Sequence, residues 1–200
     1  PEFDVAQAVG LMVTKPVDAY FPAIGPTHMA QVAGGAFQQG LTPLSMMAAP
    51  SFNDAFVREG FALAPLFTSG SMYLMAFVAP YEAETAGHAT MRATFTAMGI
   101  DSANTFLVAG WSSQHHLKGV LEAANKGGDL TRAGIRRAAG SVYVDSDGMM
   151  PQRELGQNRA DAESFIAVPD GTIASGVKLL AGNYVGPSAG GYDWESGPCS

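Results

Sequence analysis

Val17-Asp18-Ala19-Tyr20-Phe21-Pro22-Ala23-Ile24 leads into residues 27–39, Gly40, and then Pro43-Leu44-Ser45-Met46-Met47-Ala48-Ala49. The stretch reads strand, helix, strand. Two strands joined through a helix of this length lie parallel, because the connection is a crossover over one face of the sheet. A parallel sheet is covered on its faces, and the apolar run at 17–24 suits a buried strand. Open parallel sheets take ligands beyond the carboxyl ends of their strands. Those ends are Gly25-Pro26-Thr27-His28 and Pro50-Ser51-Phe52-Asn53-Asp54, and function is expected there.

Working outward, residues 4–15 carry Val5, Ala8, Val9, Met12 and Val13 at helical spacing, with Asp4 as cap and Pro16 as stop. Thr27 is the expected N-cap of the central helix and Gly40 its C′ residue. Gly34-Gly35 weakens that helix by about 1 kcal/mol per glycine, a cost that signals close packing. Residues 55–70 read as irregular and 71–79 as a strand. Helices follow at 86–98 and 102–125, the second with Phe106, Ala109, Ser113, Leu117, Val120, Leu121 and Ala124 on one side. Asp129 or Thr131 caps a short helix ending near Gly140, a brief strand covers 142–144, and a hairpin is expected at 164–180. Gly, Pro and Ser dominate from Asn183, which predicts a mobile tail.

Composition narrows the function. A hydrophobic share of 47% with 14% charged residues argues for a packed core rather than disorder. A formal charge of −7, with one small basic group at Arg132, Arg136 and Arg137, disfavours nucleic acid as a partner. Cys199 is the single cysteine, so no internal disulfide forms. No apolar run is long enough to span a membrane as a helix. Pro1-Glu2-Phe3 reads as a cloning scar, on which reading the chain is a piece of something longer.

Catalytic patterns are missing: there is no Gly-x-Ser-x-Gly, Walker loop or His-Glu-x-x-His. His115 and His116 are adjacent and point apart, which disfavours a metal. Val144-Asp145-Ser146-Asp147-Gly148 lacks the downstream ligands of a calcium loop and reads as a turn. The chain is expected to be non-enzymatic, with no cofactor and no metal.

Several strings resemble the second half of an extracytoplasmic solute-binding protein of the branched-chain amino-acid (Leu/Ile/Val-type) family, which serves ABC importers. They are Lys15-Pro16-Val17-Asp18-Ala19, Gln38-Gln39-Gly40-Leu41-Thr42-Pro43, Pro50-Ser51-Phe52-Asn53-Asp54-Ala55-Phe56, Ala109-Gly110-Trp111-Ser112-Ser113-Gln114, Gly128-Asp129-Leu130-Thr131-Arg132 and Asp147-Gly148-Met149-Met150-Pro151. The resemblance implies an α/β fold: the parallel-sheet, three-layer sandwich lobes of a type I periplasmic binding protein, incomplete because only the second half is present. It divides the chain into a second-lobe βαβ portion (1–60), a first-lobe portion (61–127), a second-lobe return with the hairpin (128–182) and a flexible tail (183–200). Chain crossings are expected near 63–69 and 127–144.

The same resemblance implies capture of a small organic solute, an amino acid or a related carboxylate or amide, delivered to an ABC permease in the membrane from a periplasmic or extracytoplasmic location. It places ligand contacts at Thr27, His28, Ser51, Phe52 and Asn53, with Trp111 as an aromatic candidate. The glutamate of branched-chain binders is not evident, since Ser51 and Asp54 stand nearest, so carboxylates and amides are as admissible as amino acids. Tyr20 and Tyr73 are further candidates for the cleft. With half the family's length absent, a homo-oligomer, a swapped dimer or a complementing N-terminal half is expected as partner. The alternatives are a receptor's ligand-binding sensory domain and an α/β enzyme fragment lacking its catalytic half.

Overall fold

The computed structural model describes residues 3–151, 153–154 and 163–190. In chain order the elements are α1 (Val5–Thr14), β1 (Ala19–Tyr20), α2 (Pro26–Gln38), β2 (Leu44–Ala48), α3 (Ala64–Phe67) and β3 (Met72–Ala76). Then come α4 (Ala86–Ala97), α5 (Thr105–Lys126), α6 (Arg132–Ala139), β4 (Tyr143–Val144), β5 (Arg153–Glu154), β6 (Glu163–Pro169), β7 (Val177–Val185) and α7 (Pro187–Gly190). Two 3-10 turns, Ala49–Ser51 and Asp54–Val57, follow β2. Five strands form one sheet in the order β1-β2-β3-β6-β7. The first three are parallel, while β6 runs antiparallel to β3 and to β7. β4 and β5 make a separate antiparallel pair.

The β-α-β reading holds, with Ala19 opposite Leu44 and Tyr20 opposite Ser45. The first strand is shorter than the expected 17–24, although Leu44 N–H still donates to Asp18 O and Ala48 N–H to Pro22 O. Nor is it buried throughout: β1 ends the sheet among the described strands, and Phe21 is 73% exposed. Thr27 does not cap α2. Gly25 does, and Pro26 takes the first helical position, where its missing N–H costs nothing. Gly34 and Gly35 pack as expected. A β-carbon would stand 2.9 Å from Leu63 Cδ1 at the first and 3.0 Å from Val9 Cγ2 at the second.

One face of the sheet is core. Ser45, Met47, Met72, Leu74 and Ala167 alternate inward and meet Met29 and Ala33 of α2, together with Phe52, Phe56 and Phe67. Phe56 tilts against Phe67 at 4.6 Å between ring centroids, inside the attractive range for aromatic pairs. The alternate residues point the other way, and Leu44 and Met75 are 40% and 47% exposed. Among the described residues the main core lies on one face and the other is less covered, which is consistent with an incomplete three-layer sandwich.

After β3 the chain leaves the sheet and builds a helical unit before returning at β6. Its core is Val78, Tyr81, Met91, Phe95, Val108, Met149 and Met150. β3 lies beside β2, so the strands of this sheet run through Ala76 before the chain enters the helical core. The expected inner stripe of α5 is also corrected. Val108, Ser112, Val120 and Ala124 are buried, whereas Phe106, Leu117 and Leu121 are exposed. Apolar spacing locates a helix face, and here a second apolar face is left largely exposed. At the start of the tail expected from Asn183, residues 183–185 extend β7, with Tyr184 opposite Ser164 and Val185 opposite Glu163, and Pro187–Gly190 form α7. Residues 191–200, including Cys199, lie outside the described residues.

His88 is buried in this unit. Its Nε2 faces Ala79 O at 3.2 Å and its Nδ1 faces Thr85 Oγ1 at 2.8 Å, the pattern of a neutral ring that donates to the carbonyl and accepts from the hydroxyl. Burial pushes its pKa below the ordinary 6.5, partly opposed by the Ala79 carbonyl. The unfolded chain then binds the proton more readily than the folded one. Stability is full above about pH 6.5 and declines as pH falls toward the lowered folded value. The melting temperature is expected to drop on acidification below about pH 6.5, and His88→Gln is expected to flatten that slope. A second outcome concerns the core: Phe52→Ala is expected to cost about 3–5 kcal/mol in denaturant unfolding.

Candidate functional site

The two loops singled out in the sequence meet at the carboxyl end of the parallel strands, and one hydroxyl joins them. Ser51, fully buried, accepts from Ile24 N–H at 3.1 Å and donates to Pro22 O at 3.3 Å. A serine can do both at once, since its oxygen has one proton and two lone pairs. Segments 22–24 and 50–53 thereby form a single rim. Ser51 holds that rim from behind and does not face the solvent side.

The other expected contacts divide in the same way. Phe52 is 1% exposed and lies in the core, edge-on to Phe56, so it anchors the loop. Asn53 accepts from Ala55 N–H at 2.9 Å and caps the following 3-10 turn, while Asp54 pairs with Arg58 at 3.4 Å. Thr27 is exposed. His28 is half-buried, with Phe3 edge-on at 5.5 Å. No side chain caps the first turn of α2, so the backbone N–H groups of Thr27 and His28 open toward the rim at the positive end of a 13-residue helix. Phe21 adds an exposed aromatic ring where β1 ends.

Trp111 stands apart from these residues. Its ring meets Phe95 at 5.6 Å and an interplanar angle of 82°, partly buried against the helical core. Its helix does reach the sheet unit, for α5 touches the Ala49–Ser51 turn. Tyr20, a candidate for the cleft, packs against the sheet core instead. Burial raises its phenol above 10.0, with the Ser45 hydroxyl opposing the shift. Sequence reading missed Phe21 as a rim residue and Ser51 as the tie. A hydroxyl that pairs with backbone 27 to 29 residues away leaves no trace in local spacing.

No protein-family model matches the chain, and no curated protein matches it in sequence. Solved structures do match in fold. A fatty acid ABC transporter substrate-binding protein from Thermomonospora curvata superposes with a TM-score of 0.80 at 21% identity, over 94% of this chain and 49% of that one. A substrate-binding protein of an ABC transporter from Aeropyrum pernix gives 0.67 at 14% identity, over 93% and 50%. A branched chain amino acid ABC transporter protein from Thermus thermophilus, with bound valine, gives 0.61 at 11% identity, over 93% and 50%. The chain thus has the α/β fold of type I periplasmic binding proteins, as found in the substrate-binding components of ABC transporters. It spans about half the length of the solved structures it matches.

The rim yields a direct test. Ser51→Ala leaves the Ile24 N–H buried without its acceptor, and is expected to cost about 1–3 kcal/mol. Hydrogen exchange at Ile24 should rise with it, whereas Thr27→Ala, on the exposed side, should leave both quantities unchanged.

Proposed function

We propose that this chain is the carboxyl-terminal half of an extracytoplasmic solute-binding protein, which captures a small organic solute and hands it to the permease of an ABC importer. The single observation that carries this reading is the superposition of 94% of the chain on half of a substrate-binding protein at a TM-score of 0.80. The position of the rim supports it. Thr27, His28, Asn53 and Phe21 gather at the carboxyl ends of parallel strands, the end at which such sheets take ligands. In the complete protein a second lobe supplies the opposing wall. Solute held on one lobe recruits the other, and the closed population rises with the difference in affinity between closed and open forms.

The rim's chemistry bears on the solute. Asp54 is engaged by Arg58 and Asn53 Oδ1 by the Ala55 N–H, which leaves Thr27, His28 and the Asn53 amide nitrogen as its polar groups beside an aromatic ring. Uncapped N–H groups at the start of α2 favour an acceptor or anionic group. This combination suits a carboxylate or amide with an apolar body, whether or not it carries an amine. We assign the role of binding protein rather than enzyme, since the fold neighbours are binding proteins.

The open sheet face supports the need for a complement. Leu44, Met75, Phe77 and Phe21 stand exposed on or beside it, and each Å2 of apolar surface left in water forgoes about 25 cal/mol. By light scattering the isolated chain is expected to self-associate or to pair with a polypeptide supplying the amino-terminal half. A cooperatively melting monomer would contradict this. Isothermal titration of the full-length parent with branched-chain amino acids, aromatic acids and fatty acids is expected to give saturable binding to one class. The isolated half should bind the same compound at least about tenfold more weakly, since one wall of the cleft is absent. Binding by neither would overturn the proposal.

A further inference from the structure

The chain leaves the sheet after β3 through a short knuckle, residues 79–83, whose backbone is held by the helical unit. Ala79 N–H donates to Met149 O at 3.0 Å, and Ala79 O faces His88 Nε2. Arg92 of α4 donates through one terminal nitrogen to both Tyr81 O and Ala83 O, each at 2.9 Å. Residues 79, 81 and 83 are thus bound on one side. Between them, the side chain of Glu82 reaches the other unit. Its Oε1 accepts from Ser175 N–H at 3.0 Å and its Oε2 from Ser175 Oγ–H at 2.5 Å.

Ser175 sits in the turn between β6 and β7 and is 1% exposed. That turn is itself fixed to the sheet unit. Arg58 donates to Ile173 O at 3.2 Å and to Ala174 O, and Asp170 N–H donates to Gly176 O at 2.8 Å. Gly176, at φ +81°, lies against Asp54, where a β-carbon would come within 3.0 Å of Asp54 Cβ. A two-point, charge-assisted bond therefore spans two bodies that are each held firmly at its ends. The apolar contact beside it is made largely of small side chains, Ala49, Ala76, Ala79 and Ala83, with Phe165 and Leu179. Small side chains interlock weakly, so the polar bond, beside the touch of α5 on the Ala49–Ser51 turn, is the directional contact between the units.

We propose that Glu82 is a latch: its carboxylate on Ser175 sets the angle between the sheet unit and the helical unit. In the binding protein proposed above, on which this role in closure rests, it is a positioning residue for the hinge and does not touch the solute.

The test uses the ligand-free protein. Spin labels at cysteines introduced at Gln38 on α2 and Glu122 on α5, in a Cys199→Ser background, report the distance between the units. Glu82→Ala is expected to broaden or shift the distance distribution, and to speed amide exchange across 170–176 by about tenfold or more. Ser175→Ala, which keeps the backbone donor, is expected to give a smaller change in the same direction, and serves if Glu82→Ala does not fold. Asp18→Ala, removing an exposed carboxylate just before β1, should change neither quantity. Unaltered distances and exchange in both latch variants would overturn the proposal. If the distances respond but the full-length parent binds no solute, the latch stands and the proposed function falls. If the parent binds but the distances are unmoved, the latch falls alone.

Discussion

A parallel β-sheet has two apolar faces and no face made for water, because its crossover connections lie on the sheet and its strands alternate apolar side chains to both sides. The rest of this structure follows from how that constraint is met. α2, with Phe52, Phe56 and Phe67, covers one face and forms the larger core. The other face presents Leu44 and Met75, and the edge strand ends in the exposed ring of Phe21. Covered on one side, the sheet is folded and anchored. On the other, apolar side chains stay exposed among the described residues, and the solved structures of the same fold are about twice as long.

The same arrangement produces the rim. Parallel strands deliver their carboxyl ends to one edge, so the loops after β1 and β2 emerge side by side. Their alignment depends on Ser51, which gives the Ile24 N–H and the Pro22 carbonyl a partner where water has no access. Phe52, immediately after it, drives the loop into the core. The consequence is a division of labour between neighbouring residues. Ser51 and Phe52 hold, Asn53 caps, and Thr27, His28 and Phe21 are left on the outer side. A loop that reads in sequence as a run of exposed polar residues is in large part structural mounting.

Between the two units the structure relies on polar groups where the apolar contact is thin. The knuckle at 79–83 is gripped through its carbonyls by His88 and Arg92, and through Glu82 it grips the turn at Ser175. Burial lowers the pKa of His88, so the ring is kept neutral and a protonated ring would weaken this region from the helical side.

Local signals in the chain were sufficient for most of the elements. Apolar spacing, Asp4, Gly40, Gly99 and Gly127-Gly128 delimit the helices, and the βαβ order carries the parallel pairing and the location of the rim. The paired glycines of α2 announced close packing, and Leu63 and Val9 provide it. What spacing could not decide was which apolar residues find a neighbour. Phe106, Leu117 and Leu121 repeat as regularly as a core stripe, yet Val108 and Ser112 are the ones enclosed, because burial depends on what packs against a helix as well as on its period. Nor could spacing show that β3 joins the first sheet, that Ser51 faces inward, or that Glu82 reaches a residue 93 positions away. The amino-acid sequence by itself determined the elements and the end of the sheet at which to look. Only the tertiary structure decided which side chains hold the rim and which stay exposed on its outer side, since that depends on contacts between residues far apart along the chain.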